Sequence, residues 1–530
     1  MLDSIDGRPA LPATPTQPTP HKVLDLDALA DQLDALRGDA NTAADTPTVV
    51  HCHGVFDLLH IGHVRYLEAA AKLGDILVVT ITPDEFVNKG PNRPAFPAEL
   101  RAEHVAALGC VTWASVNRWP TAIEPIQKLK PDLYVKGSEY RNEDGDVSGA
   151  ITKEREAVEA VGGQLTFTDD IVFSSSNLLN RFMPQLPSST QRWLDGFNER
   201  HGIDAVTAAF ERARPIKLLV VGETIVDEYL HCEAIGKSSK EPTLAVKAGK
   251  RERFAGGILA VANNAAACCD SVQVLTQLGD RDPQRAFCRE HLQPNVHPTF
   301  LTRTDAPTIV KRRYIDTYFQ SKLFEVYHVN DSPPEGQDNE AFLDALKPAV
   351  AEADAVLVVD FGHGLMSAEA IELLCDSARF LAVNVQANAG NLGFNLIGKY
   401  PRADLLCVAQ NELRLEFRDK TGDLHNLLEA AGQKLDAAAA ICTRGKHGAL
   451  TWSKTHGRSH LPAVAAKVVD RVGAGDTFLS ILAPVLAAGA PLEVACFLAS
   501  VAGAEAVATV GHRQNLDRVA LLKHATTLLK

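Results

Sequence analysis

The sequence predicts an α/β chain built from two parallel-sheet domains, and three observations carry that prediction. At 530 residues the chain exceeds the size at which one core keeps growing, so two domains are the default and each can bury a full core. Short apolar runs alternate with helical stretches twice over, across residues 48–182 and again from residue 217 to the C-terminus, as parallel strands joined by crossover helices do. Between the two series, residues 184–189 carry Pro184 and Pro187 and interrupt the pattern.

Taken in order, residues 1–20 are rich in Pro and Thr, bury too little apolar surface to offset their ordering entropy, and are expected to be disordered. Leu24, Leu26, Leu29, Leu33 and Leu36 follow a helical period, and residues 38–47 read as a polar connection. In the first series the strand candidates are residues 48–50, 75–82, 111–116, 133–135 and 164–167. Residues 193–212 read as a helical linker with Trp193, Phe197, Val206 and Phe210 as its apolar contacts. In the second series, residues 217–221, 272–275, 355–359, 380–385, 403–407 and 438–442 are continuously apolar, which fits strands buried on both faces. Residues 308–314 and 322–329 alternate more and fit an antiparallel appendage. The expected organisation is a tail and short helix (1–47), a first domain (48–183), a break and helical linker (184–214) and a second domain (215–530).

Composition narrows the function. Apolar residues at 46% and charged residues at 22% are ordinary for globular proteins. A net charge of −13 argues against a nucleic-acid partner, which needs a basic surface, but leaves small anionic substrates open because one cleft can be locally basic. The ten cysteines show neither a Cys-x-x-Cys pair nor zinc-type spacing, and no residue set predicts a protein-held metal site. With no signal-type segment and no apolar run near eighteen residues, a cytoplasmic enzyme with no membrane partner is expected.

The chemistry-bearing stretch of the first series is Gly54-Val55-Phe56-Asp57-Leu58-Leu59-His60-Ile61-Gly62-His63. It joins an apolar run to an amphipathic one, so the two histidines sit where a helix start offers N–H groups and a favourable dipole to a phosphate. Spaced three apart, they project to one side. The competing reading is that they only cap the helix. The run resembles the nucleotidyltransferase family that includes glycerol-phosphate cytidylyltransferases and sugar-phosphate adenylyltransferases. Asn88-Lys89-Gly90 with Arg93-Pro94, Arg101, Lys136-Gly137-Ser138-Glu139-Tyr140 and Ser174-Ser175-Ser176-Asn177 match it in order. The resemblance implies a Rossmann-like domain in which His60 and His63 are catalytic and Gly54, Val55 and Phe56 bind nucleotide. It further implies that Lys89, Arg101 and Lys136 supply cations and Ser174, Ser175 and Ser176 hydroxyl donors to phosphate. A phosphate monoester is already an anionic nucleophile, so such a site needs charge neutralisation and alignment more than a base.

In the second series the most specific stretch is Asp470-Arg471-Val472-Gly473-Ala474-Gly475-Asp476-Thr477, followed by an apolar helix. Gly473, Ala474 and Gly475 would bare backbone N–H groups to a phosphoryl group, and Asp476 would take the proton of an attacking hydroxyl. A lone Gly-x-Gly-Asp is also a common helix-start turn. The stretch resembles the signature of the ribokinase-like (PfkB) sugar kinases, supported by Gly222 with Asp227, Gly256-Gly257, Asp360 with Gly362 and Gly364, and Thr443-Arg444-Gly445. The resemblance implies a doubly wound α/β domain, with Asp227, Gly256, Gly257 and Asn264 at the sugar and Thr443 and Gly445 at the nucleotide. Three positions depart from the pattern: Ala260 where an Asn is usual, Gln386 in the stretch that is often Asp-Pro-Lys, and Arg414 in place of the Glu that helps organise magnesium.

Together the halves resemble bifunctional heptose kinase/adenylyltransferases in reversed domain order. What that implies is ATP with Mg²⁺ at the kinase site, ATP or CTP at the transferase site, sugar phosphates as substrates, an ADP-heptose-like product and a homodimer. The alternative is an active transferase carrying a degenerate sugar-binding module.

Overall fold

The computed structural model describes residues 19–38, 46–87, 93–137, 150–168, 186–319, 321–511 and 513–530. The expected disordered tail, Lys89, Ser138, Ser174, Ser175 and Ser176 lie outside the described residues. The chain divides into two compact units that part at Met183 and Pro184.

In the first unit, β1 (Val49–Gly54), β2 (Ile76–Ile81), β3 (Trp113–Val116), β4 (Leu133–Lys136) and β5 (Gln164–Phe167) form an all-parallel sheet in the order β3-β2-β1-β4-β5. β2 is buried at every position, which is why its sequence is uninterrupted Ile-Leu-Val-Val-Thr-Ile. The period-2 alternation splits β1 between two cores: Val50 and Cys52 pack with Leu67 and Val105, while Val49 packs on the other face with Leu26, Leu29 and Leu33. The helix Leu26–Gly38, assigned above to a tail, is therefore part of this unit's core. The chain runs outward from β1 to β3 and returns to β4, so the order reverses between β1 and β4 and opens a crevice at their C-terminal ends.

The second unit holds a nine-stranded sheet in the order β10-β9-β6-β13-β14-β15-β16-β17-β18. It contains β6 (Leu218–Gly222), β9 (Val272–Arg281), β10 (Val296–Pro307), β13 (Ala355–Asp360), β14 (Leu381–Val385), β15 (Leu405–Ala409), β16 (Ala439–Thr443), β17 (Ala449–Ser453) and β18 (Gly457–Leu461). All pairings from β10 to β16 are parallel, and β17 and β18 add an antiparallel edge. Apolar clusters cover both faces. A separate four-stranded sheet, β12-β11-β7-β8, combines β7 (Thr224–Lys237), β8 (Leu244–Gly257), β11 (Ile309–Asp316) and β12 (Lys322–His328). The antiparallel β11–β12 pair matches the expected appendage, but β7 and β8 escaped the sequence reading because their outer halves are solvent-exposed and polar.

One expectation is corrected. The stretch read as a helical linker forms the helices Ser188–Arg200 and Gly202–Ala213, and Leu194, Phe197, Val206 and Phe210 belong to the core of the second unit. Phe197 lies 4.6 Å from the Phe497 ring centre. Burial of that many large side chains, each worth about 1.5–3 kcal/mol, makes these helices integral to the unit and not a spacer.

Candidate active sites

In the first unit the crevice is floored by the end of β1. A Cβ on Gly54 would meet the Phe56 ring at 3.0 Å, so glycine lets that ring fold back. Phe56 takes a positive φ of 45°, a strained conformation for a bulky residue, and sits edge-on to His63 with ring centres 5.3 Å apart. His60 is the N-cap of the helix Ile61–Ala71, its Nδ1 accepting from the Gly62 N–H at 3.1 Å. An Nδ1 that accepts leaves the ring proton on Nε2, so the cap fixes the tautomer that presents a donor. The His60 and His63 rings stack with centres 3.9 Å apart. The cap is therefore present at His60, and the phosphate-gripping reading is compatible with the same geometry.

The expected cations divide. Arg101 is fully buried and donates to the carbonyls of Val55, Phe96 and Thr82 and to the Asp84 carboxylate. Its expected role as a phosphate-facing cation is corrected: the guanidinium ties the loop after β1 to the loop after β2. Asp57, also buried, does similar work by accepting from Arg93 Nη1 at 3.0 Å and from the Ala95 N–H. Lys136 ends β4 and pairs with Glu154 at 2.9 Å, while Tyr66 donates to the Val135 carbonyl at 2.6 Å. His51 and His53 both bond Thr80 Oγ1 at 2.8 Å. Burial, reinforced by Lys136, pushes His51 down to about 3 and His53 well below the ordinary histidine range, so both are neutral.

In the second unit the helix Ala474–Ala487 starts at Gly473, whose φ of 78° turns the chain into the helix. A Cβ on Gly475 would meet nothing within 4 Å, so no packing demand explains that glycine, and its absent side chain leaves the helix start open to a ligand. Asp470 braces the segment by accepting from the Val472 N–H and Tyr229 Oη, both at 3.2 Å, and from Lys322 at 3.1 Å. Asp476 lies in the first helical turn, and Gln386 Nε2 donates to its Oδ1 at 2.5 Å. Burial pushes the Asp476 carboxyl up to about 7; the Gln386 hydrogen bond opposes this, Glu412 and Asp227 add to it, and Lys311 opposes it. A carboxylate near 7 suits proton abstraction at neutral pH.

Asp227 is buried against Arg313, and a Cβ on Gly256 would lie 2.1 Å from its Oδ2, so that glycine is required by the aspartate beside it. Gly257, with φ 54°, caps the helix Ile258–Ala265. Asn264 is corrected: its amide donates to Thr477 Oγ1 at 2.9 Å, so it fastens the helix that carries Asp476 and does not face a sugar. Thr443 and Gly445 sit together at the C-terminal end of β16, where parallel sheets place ligands. Arg414 donates to the carbonyls of Asp419 and Gly422, and Glu412 instead caps its helix, accepting from the N–H groups of Ala409 and Ala387. The sequence reading missed Lys311, a buried amine on β11 under the influence of Asp227, Glu223 and Asp476 together. Its strand reads as an appendage, and nothing in the local sequence signals that it turns toward the site. Gln386 was visible only as a departure from a pattern.

Residues 215–518, more than half of the chain, match the family model described as pfkB family carbohydrate kinase. The chain belongs to the PfkB family of carbohydrate kinases. Residues 51–182 match the model described as cytidylyltransferase-like. Among curated relatives, the Bifunctional protein HldE of Nitrobacter hamburgensis is 29% identical over 299 residues, 56% of this chain and 60% of that protein. Its counterpart from Nitrobacter winogradskyi is 31% identical over 304 residues, with the same coverage. This PfkB-family chain therefore matches about 60% of the length of those relatives. A solved ribokinase from Arabidopsis thaliana, complexed with ribose and ATP, aligns with 60% of this chain and 99% of its own at 18% identity and a TM-score of 0.47.

Proposed function

We propose that the chain is a bifunctional enzyme that makes an activated nucleotide sugar. The second unit would phosphorylate a sugar or sugar phosphate with ATP, and the first would transfer a nucleotidyl group from ATP or CTP to a sugar 1-phosphate with release of pyrophosphate. The observation that carries the reading is the pairing of a base poised near 7, Asp476, at an open glycine-bounded helix start with a stacked histidine pair at a second helix start. Asp476 would accept the hydroxyl proton, while the N–H groups of Ala474 and Gly475 would hold the phosphoryl oxygens. In the first unit, His60 and His63 would steady the charge on the α-phosphate and the departing pyrophosphate, with Lys136 at the same crevice.

Mg²⁺ would neutralise charge on the nucleotide phosphates. Among the described residues no three His, Cys, Asp or Glu side chains converge into a metal cage. Ten free cysteines, nine of them buried, suit a reducing, cytoplasmic setting, and no described helix is long and apolar enough to cross a membrane. A homodimer would cover the exposed Ile235, Leu244, Tyr318 and Phe319 at one end of the four-stranded sheet. The alternative, an active transferase with a degenerate sugar-binding module, rests on Ala260, Gln386 and Arg414; Gln386 donates to Asp476 and Arg414 bonds backbone carbonyls at its own helix end.

The test is a product screen: purified protein with a panel of sugars and sugar phosphates, ATP and CTP, read by mass. The reading expects ADP with a new sugar phosphate from one subset and pyrophosphate with a nucleotide sugar from another. Binding without either product across the panel would overturn it.

A further inference from the structure

In the second unit β9, β10 and the loop that follows β13 border a cavity of about 20 Å³, whose lining includes Glu223, Gln277, Arg303 and His363. Two polar atoms of that lining stand out. His363 is 1% exposed, its Nδ1 meets an Asp331 carboxylate oxygen at 2.7 Å, and its Nε2 is buried with no hydrogen-bond partner among the described residues. Gln277 donates its Nε2 to the Asp338 carbonyl at 3.1 Å, and its Oε1 is likewise buried and unpartnered among them. Neighbouring polar groups are engaged: Glu223 accepts from the Phe361 and His363 N–H groups, both at 3.0 Å, and the Thr308 hydroxyl donates to the Pro283 carbonyl at 3.0 Å. A buried polar atom left unpaired is costly, so these two mark a place where a partner belongs.

The chemistry of that partner follows from the lining. Burial, with Lys311 adding to it and Asp331 opposing, lowers His363 below the ordinary histidine range and keeps the ring neutral. A neutral imidazole that donates from Nδ1 to a carboxylate has a lone pair on Nε2, and an amide that gives its N–H to a carbonyl presents its oxygen. Both atoms therefore call for a donor. Arg303 borders the same space with two of its five N–H donors spent, on the carbonyls of His363 and Ser332. Size excludes an organic ligand: a water needs roughly 10–15 Å³, so about 20 Å³ holds one and little more. An anion finds two acceptors facing it, and a cation meets the Arg303 guanidinium. One water matches, with a proton for each acceptor and a lone pair for Arg303.

We infer that this cavity is the site of one tightly held water, which donates to His363 Nε2 and Gln277 Oε1, accepts from Arg303, and so ties the loop after β13 to β9 and β10. Waters held by three such partners are part of the structure and costly to remove. The loop it braces is itself a support. Asn391 and Asn395 crowd Gly362, where a Cβ would lie 2.1 Å and 2.7 Å from their Nδ2 atoms, and Asn395 also donates to the Gln386 carbonyl at 3.1 Å. Gln386 in turn donates to Asp476, so the water stands behind the support of that carboxyl.

A crystal structure of the full chain, fine enough to show ordered solvent, tests this directly, with Gln277→Met and Gln277→Glu as companions. In the wild-type protein a water peak is expected within about 3.2 Å of both His363 Nε2 and Gln277 Oε1. Gln277→Met should lose it, and Gln277→Glu, which keeps an acceptor, should retain it. Both variants give up the donation to the Asp338 carbonyl, so the difference between them isolates the acceptor. In solution, amide hydrogen exchange at His363 and Gly364 should run about fivefold faster in Gln277→Met than in Gln277→Glu, as loss of one net hydrogen bond predicts. Equal exchange in the two variants, a dry cavity, or a direct protein hydrogen bond to either atom in place of the water overturns the site. A rubidium peak at that position, in crystals soaked in rubidium chloride, overturns it in favour of a cation.

Discussion

The first unit holds two histidines of β1 in their neutral form, with His51 down near 3 and His53 also depressed by burial, whereas the second holds Asp476 up near 7. Burial is the leading cause in both, and it acts in opposite directions because it disfavours a cationic imidazole in one and an anionic carboxyl in the other. The contrast suits the two nucleophiles of the proposed reactions. A phosphate arrives already charged and needs cations, donors and alignment, while an alcohol must lose a proton to something on the protein. Under the proposed function one chain would carry two phosphate-binding helix starts whose acid–base settings differ as their reactions do.

The sharpest way to break the comparison is to remove the base. Asp476→Asn should lower ATP-dependent sugar phosphorylation by about 10³-fold, within the range for loss of a general base, and leave pyrophosphate release unchanged. Loss of both activities in a folded variant would mean that the sites are not independent. Next, His63→Ala should cost the transferase about 10²-fold in kcat with the kinase untouched, since it removes a donor to developing charge and no base. A smaller effect on the chemistry but a large one on stability is expected of Arg101→Met, which strands the carbonyls of Val55, Phe96 and Thr82. Hydrogen exchange at β1 and β2 should report about 2–4 kcal/mol of destabilisation. A phosphate-facing cation would instead raise KM and leave exchange alone.

Gln386→Leu sharpens the kinase side. Removing the amide that donates to Asp476 raises the carboxyl further, so the rising limb of the kinase pH–rate profile should move to higher pH by about one unit, with a loss of about fivefold at pH 7. A further effect is on the acid stability of the first unit. His51 has a folded pKa near 3, below its unfolded value, so the unfolded state binds the extra proton as pH falls. His51 should contribute a drop of about 1.4 kcal/mol per pH unit below roughly 6.5, and His51→Gln should remove that share of the slope in hydrogen exchange at β1, leaving the share of His53.

Much of the fold was legible because doubly covered parallel strands read as unbroken apolar runs, as in residues 76–81 and 355–360. β7 and β8 were not, since a strand half in solvent has no such run. The motifs placed His60, His63, Gly473 and Asp476 on two helix starts, because capping and glycine turns are local. Arg101 and Asn264 were misjudged for one reason: a sequence names a cation or an amide but not the carbonyl or hydroxyl that a fold brings to it. Gln386, just past β14, bonds Asp476, and Lys311 on β11 lies in its field, and no local pattern encodes either encounter.

The measurement that tests the central claim most directly is the pH dependence of kcat/KM for both reactions on one preparation between pH 5.5 and 8.5, with the same nucleoside triphosphate where substrates allow. The kinase should rise through an apparent pKa near 7 and then level off, because Asp476 must be deprotonated to act, while the transferase should show no such limb. Coincident limbs, or a kinase that is flat through neutrality, would contradict the account.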